Sequence, residues 1–547
     1  MGSDEWWRRA VIYQIYPRSF ADGSGDGVGD LAGIRSKVGH LERLGVDAVW
    51  LSPFYPSPMD DNGYDISDYC GVDPLFGDLG DFDALVETLH DRGIKVVVDL
   101  VVNHSSDEHP WFQDSRAGGS KRDWYIWRPE PTNWGSFFGG SAWQYDPQRG
   151  EYYLHLFSPK QPDLNWDNPE VRHAVHDVMR WWLARGVDGF RMDVINLVSK
   201  DPAFPDGEVF PGTEYGWFGS AVVDGPRIHE YLAELRREVL GDRRDVLLLG
   251  ETPISALADA RRYTDPANRE LDMVISFDHV LLDRGASPWE VSQVPPARLR
   301  DVLVRWQREL APGWNCLYWC NHDQPRVVSR FGDDREHRTR SARTLATVLH
   351  LLSGTPLVYQ GEELGMANYP FASVEELQDI ETLNAYREAM ARGLDADAVL
   401  AGLRAVSRDN ARTPMQWDAS PNAGFTTGRP WLPANPDHVE VNAASQYDDP
   451  ASVFARYREL IRLRHDDPTV VEGSFELLAP DHDQVFAFVR RHEHEELVIA
   501  ANLSGDDIAL PPDVAARVAG AHLLLREPGA ADGVLRAWEA QVYRTTA

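Results

Sequence analysis

The sequence predicts an α/β protein built on a (β/α)8 TIM barrel, with a subdomain inserted after strand 3 and an all-β domain at the C-terminal end. Three observations carry this reading. Eight short apolar runs recur up to residue 361, with the length and composition of strands covered on both faces. Amphipathic stretches such as DFDALVETLHDRG lie between them, the alternation of a parallel sheet. Three of the runs break into a carboxylate at the C-terminal end: Asp193 in GFRMDVIN, Glu251 in VLLLGETP and Asp323 in LYWCNHDQPR. A parallel barrel places its catalytic groups there.

In chain order the predicted strands are VIYQIY, DAVWLS, IKVVVDLVV, GFRMDVI, VLLLGE, MVISF, CLYWCN and PLVYQG. Residues 105–170 are rich in Trp, Gly, Pro, Asn and Tyr with few helical patterns. They are too long for a βα loop and predict a small subdomain that walls a pocket at the C-terminal face. Residues 364–430 carry helical patterns (SVEELQDIETLNAYREAM) and then the loop RDNARTPMQW. The helix ASVFARYRELIRLRHDD, 451–467, closes the barrel, which comprises 1–104 and 171–469. Beyond 470 the alternating runs QVFAFVRR and LVIAANL predict a β-sandwich over 470–547.

Composition narrows the function. A formal net charge of −32 repels nucleic acid and anionic membranes, so neither is an expected partner, and a small neutral substrate fits best. No apolar run approaches membrane-spanning length. The three cysteines, Cys70, Cys316 and Cys320, are too few and oddly numbered for a disulfide framework and lack zinc-type spacing. Free thiols point to the cytoplasm. Buried carboxylates are costly without partners, so three at similar strand ends imply one shared pocket. A carboxylate pair plus a helper is the minimum equipment for cleaving a glycosidic bond.

The motifs AVIYQIYPRSF, DLVVNH, QPDLNW, GFRMDVIN, GETP, NHDQPR and RDNARTPMQW follow one another along nearly the whole chain. In this order they resemble the glycoside hydrolases of the α-amylase superfamily (family 13), and within it the oligo-1,6-glucosidase and α-glucosidase branch. The resemblance implies that Asp193 is the nucleophile of a retaining reaction, Glu251 the general acid/base, and Asp323 the third carboxylate, holding sugar hydroxyls. It implies further that His104 and His322 bind hydroxyls, that Tyr64 stacks on the glucose ring, and that Asp61 pairs with Arg412 to close an exo-acting pocket. Arg191 lies two residues before the nucleophile on one strand face and is expected to hold its pKa down. Asp99, inside VVVDLVV, is expected to organise the pocket.

Val194 goes with α-1,6 preference in relatives, whereas Thr252 stands where the similar oligo-1,6-glucosidases carry Met. Cys320 stands where the family has Asn. The loop DGSGDGVGD offers Asp22, Ser24, Asp26 and Asp30 as oxygen ligands, with the Val28 carbonyl. On residues alone it reads equally as a solvated Asp/Gly turn and as half an EF-hand-like loop. The resemblance favours a structural Ca2+, with Ser24 in place of an Asn ligand. HEHEE, 492–496, reads as a hairpin turn rather than a metal site. The alternatives within the family are a trehalose-6-phosphate hydrolase, which needs a cationic phosphate grip, and a sucrose isomerase, whose Arg/Asp-rich motif is not read near RVVSRFGDD. A non-enzymatic transporter-associated heavy chain calls for a membrane-spanning segment and tolerates a degraded triad, and neither feature is read here. No oligomeric state is predicted.

Overall fold

Eight parallel strands close into a barrel in the computed structural model, which describes residues 5–210, 212–285, 287–527, 529 and 533–546. They are β1 (Ile12–Ile15), β2 (Ala48–Leu51), β3 (Lys95–Leu100), β4 (Gly189–Met192), β5 (Leu247–Glu251), β6 (Met273–Ile275), β7 (Asn315–Leu317) and β8 (Thr355–Tyr359). Each predicted run contributes one strand, and the neighbours run β1-β2-β3-β4-β5-β6-β7-β8 and back to β1.

Alternation along each strand sorts the side chains. Ile12, Trp50, Val97, Leu247, Leu249, Met273 and Cys316 fill the barrel interior, while Tyr13, Val49, Val98, Phe190 and Leu248 pack outward under the helices. The period of two therefore sends Asp99, Arg191 and Glu251 into the barrel, in phase with Val97 and Leu249. The register seats Asp99 beside Arg191 and Arg191 beside Leu249, so the three charged groups converge at one end. The surrounding helices are set by local capping. Asp78 and Asp81 form a capping box for Leu79–His90, Asn168 caps Pro169–Ala184, and Ser452 caps Val453–Asp466.

Between β3 and β4 the chain forms the short helix Pro110–Arg116 and a three-stranded antiparallel sheet in the order Trp127–Arg128, Glu151–Leu154, Trp143–Asp146. Its aromatic core is shared with the segment after β4: Trp134, Trp143 and Leu156 pack with Val194, Leu197 and Phe218. That second long segment was not anticipated from the sequence.

The C-terminal region differs from the expected β-sandwich. Its described residues form one five-stranded antiparallel sheet of β9 (Ser474–Leu478), β10 (Val485–His492), β11 (Glu495–Asn502), β12 (His522–Leu525) and β13 (Ala540–Thr546), in the order β9-β10-β11-β13-β12. Phe486, Phe488, Leu497 and Ile499 on the inner face join the core under the barrel helices. The outer face is covered by the helix Pro512–Arg517 and a ribbon of Ile508–Ala509 with Val534–Leu535. The barrel's helices take the place of a second sheet. HEHEE is the β10–β11 turn, with Glu493 at φ 52°.

Candidate active site

Arg191 is the centre of the site. Its Nη1 lies 2.8 Å from Asp99 Oδ1 and 2.7 Å from Asp193 Oδ1, and its Nη2 lies 2.6 Å from Glu251 Oε2. One fully buried guanidinium thus holds three carboxylates. Trp50 Nε1 and Tyr64 OH donate to the other oxygen of Asp99, which makes Asp99 a brace behind the site. The Val194 N–H donates to Glu251 Oε2 at 3.1 Å. Val194 adopts φ 36°, ψ 41°, left-handed backbone that a β-branched residue adopts only under strain.

Burial dominates the electrostatics. It pushes the carboxyls of Asp193 and Asp99 above the ordinary range; Arg191 opposes the shift without reversing it. The expectation that Arg191 would hold Asp193 low is therefore corrected: one cation shared by three buried acids does not offset their desolvation and mutual repulsion. Burial raises Glu251 to about 7, against Arg191 and with Asp193 adding to it. Asp323 is the opposite case. Burial pushes it up, but His322, Arg408 and Arg412 together hold it well below the usual range.

Asp323 is gripped by Arg412 Nη2 at 2.7 Å and faces His322 Nε2 at 3.0 Å. Gln14 Nε2 meets His322 Nδ1 at 2.8 Å. With Nδ1 accepting from that amide, the ring proton belongs on Nε2, the nitrogen that faces Asp323. Burial keeps His322 and His104 neutral, His104 being lowered to about 4. His104 Nε2 contacts the Tyr64 carbonyl at 3.2 Å, and the Tyr64 ring stacks on His322 at 5.0 Å.

The expected Asp61–Arg412 pair is also corrected. Asp61 pairs with Arg408 at 3.0 Å and accepts from Gln161 Nε2 at 3.1 Å. Arg408 further reaches Asp323 at 3.4 Å and Asp379 at 2.6 Å. Arg412, one helical turn later, serves Asp323. Asp379 helps draw Arg408 toward Asp61, and nothing in the local sequence marks that competition.

These groups surround a cavity of about 420 Å3. Asp61, Tyr64, His104, Asp193, Val194, Glu251 and Asp323 line it, and Arg408 lines it as well. Arg191, His322 and Arg412 stand behind the lining and act through it. The aromatic wall of Phe137, Phe138 and Phe157 comes from the insertion. Sequence reading missed Arg408 and Gln161, although both lie inside quoted motifs, RDNARTPMQW and QPDLNW.

The Asp22–Asp30 loop stands apart. Asp22 accepts from the amides of Ser24, Gly25 and Gly27, Asp26 from that of Val28, and Asp30 from those of Gly23, Ser24 and Gly33. Among the described residues no three His, Cys, Asp or Glu side chains converge as a metal cluster. The available donors, Asp22, Ser24, Asp26, Asp30 and the Val28 carbonyl, are all oxygens, the class a hard divalent cation takes. Cys70, Cys316 and Cys320 are free. Cys320 donates through Sγ to the buried Glu362. Among the described residues no helix is long and apolar enough to cross a membrane.

Comparison with known proteins matches residues 14–473 to the α-amylase catalytic-domain family model. The oligo-1,6-glucosidase of Parageobacillus thermoglucosidasius is 49% identical, over 98% of this chain and 99% of that protein. The solved trehalose-6-phosphate hydrolase of Bacillus licheniformis superposes with a TM-score of 0.93 at 42% identity, covering 98% of this chain and 99% of that one. The isomaltulose synthase of a Klebsiella species does so with a TM-score of 0.93 at 39% identity, covering 99% and 100%.

Proposed function

This chain belongs to the α-amylase family of glycoside hydrolases, and from that premise we propose that it is a retaining, exo-acting α-glucosidase. Its substrates in this reading are short α-glucosides, α-1,6-linked (isomaltose-type) first, with α-1,4-glucosides, sucrose and glucosyl transfer as lesser activities. The observation that carries it is the single Arg191 fork holding Asp193 and Glu251 at its two ends. Carboxyls held by the two nitrogens of one guanidinium are neighbours, and a close pair of carboxyls is the arrangement that retention uses.

The contacts also divide the work. Arg191 holds Asp193 Oδ1, which leaves Oδ2 to attack the anomeric carbon. Arg191 and the Val194 amide both hold Glu251 Oε2, so the acidic proton belongs on Oε1, where it can reach the leaving oxygen. Asp323, kept ionised, binds hydroxyls and stabilises the positive charge that develops on the ring. Arg408, tied to Asp61, Asp323 and Asp379, closes the glucose end and favours chain termini over chain interiors.

Asp193→Ala should lower turnover of an aryl α-glucoside by roughly 10⁴-fold or more with the fold intact; near-normal turnover refutes the nucleophile. Proton NMR of the released glucose should show the α-anomer first, and β first sinks retention. Rates on isomaltose, maltose, sucrose, trehalose and trehalose-6-phosphate decide the substrate. The phosphorylated sugar belongs in that panel because Arg284 lines the cavity as a second cation.

In the same reading the partner is a neutral oligosaccharide, with nucleic acid and membranes excluded by charge, and the three free thiols favour the cytoplasm. A structural Ca2+ is proposed on the Asp22–Asp30 loop, supported by its oxygen donors. Chelation should lower the melting temperature and added Ca2+ restore it; an unchanged melting curve removes the ion.

A further inference from the structure

Arg330 ends the short helix Val327–Arg330, inside the RVVSRFGDD stretch in which no isomerase motif is read. Its side chain is 3% exposed, and that of its partner Asp283 is 4% exposed. The guanidinium forks onto both carboxylate oxygens: Nε donates to Oδ2 at 2.7 Å and Nη2 to Oδ1 at 2.6 Å. Nη2 donates also to the Val280 carbonyl, and Nη1 to Gln324 Oε1 at 2.7 Å. Such a bidentate, charge-assisted contact fixes orientation as well as distance.

The three residues held this way belong to two loops. Val280 and Asp283 follow β6, whereas Gln324 follows β7 directly after Asp323. Val280, Leu281, Arg284 and Gln324 line the cavity, and Arg330 and Asp283 stand behind that lining. Leu281 is 47% exposed, so packing alone fixes this part of the loop weakly. Asp283 gives both its oxygens to Arg330, and the adjacent Arg284 stands 4.0 Å from it. β6 is the neighbour of β5, which carries Glu251. This wall therefore lies beyond the proton donor, where the second sugar of a disaccharide sits in the glucosidase reading.

We propose that Arg330 is a positioning residue for that second sugar: it sets the loop after β6 against Gln324 and so fixes the wall the sugar meets. The proposal rests on the glucosidase reading and adds to it a residue outside the pocket. Arg330 touches no substrate and acts through Asp283, Val280 and Gln324. Glucose itself is held by Asp61, Asp323 and Arg408, which the clamp does not contact. Loosening the clamp therefore removes what orients the leaving sugar and spares what binds the glucose. A substrate without a second sugar has no use for it.

The test compares hydrolysis of isomaltose, maltose and α-glucosyl fluoride by the full-length enzyme. The fluoride leaves as a single atom and does not meet the wall. Arg330→Lys keeps the charge and loses the fork, and Asp283→Asn keeps the shape and loses the charge. Circular dichroism checks that each variant folds, and either one decides if the other does not. In each variant, kcat/KM on the disaccharide that the parent cleaves faster should fall about tenfold or more. On glucosyl fluoride it should stay within about twofold, as should the inhibition constant of free glucose. A parallel loss on fluoride and disaccharide marks a merely structural role and overturns the proposal. Disaccharide rates unchanged in both variants overturn it as well, and in either case the glucosidase stands. A parent that cleaves neither disaccharide overturns the glucosidase reading and the clamp's role with it.

Discussion

Glu251 shows how one side chain links activity to stability. Its carboxyl rises from 4.5 to about 7 on folding, mainly through burial. The folded chain therefore holds the proton more tightly than the unfolded chain between these values. The stability this group contributes is present at low pH and is lost as pH rises through about 7. Glu251→Gln removes that loss, so its stability relative to the parent should improve from pH 5 to pH 8 by about 2 kcal/mol, read from urea midpoints. An equal difference at both pH values contradicts this. Turnover should fall above about pH 7 as the acid ionises. The sequence showed which carboxylates meet, because strand ends and motifs are local signals. It did not show the sign of the Asp193 shift, which burial sets, with Arg191 opposing it and Asp99 adding to it across β3 and β4.

At the scale of elements, the short helix Asp409–Arg412 and the residue before it present two guanidiniums one turn apart. Arg408 reaches forward to Asp61, and Arg412 stays with Asp323. Arg408→Ala should therefore raise KM for a disaccharide by roughly 10- to 100-fold, with a smaller change in kcat; unchanged KM with lowered kcat argues against a binding role. The eight strands were legible because apolar runs of strand length are unambiguous when helices separate them. The partner of Asp61 was not, since two arginines four residues apart fit the motif equally and only Asp379, from another segment, separates them. The aromatic wall was legible as composition and not as contacts.

For the whole molecule, the inner faces of β10 and β11 share the main core with the barrel helices, while their outer faces build a smaller core with the helix Pro512–Arg517 and the ribbon. The barrel and the C-terminal sheet should unfold together. Phe488→Ala, fully buried on the inner face, should cost about 3–5 kcal/mol and lower one calorimetric transition; a separate, earlier transition for the sheet contradicts this. The sandwich prediction failed for the same reason: alternation along strands reports two covered faces and does not say what covers them.

The three-way grip of Arg191 has a consequence for the reaction as a whole. In the proposed reaction, formation of the sugar ester takes the negative charge from Asp193 and leaves one on Glu251, which gives up its proton. The sum of charge around the guanidinium is the same before and after the step. Only its position moves, from one end of the fork to the other, around a buried guanidinium. Little solvent or protein has to rearrange in response, which is how a preorganised site keeps a barrier low.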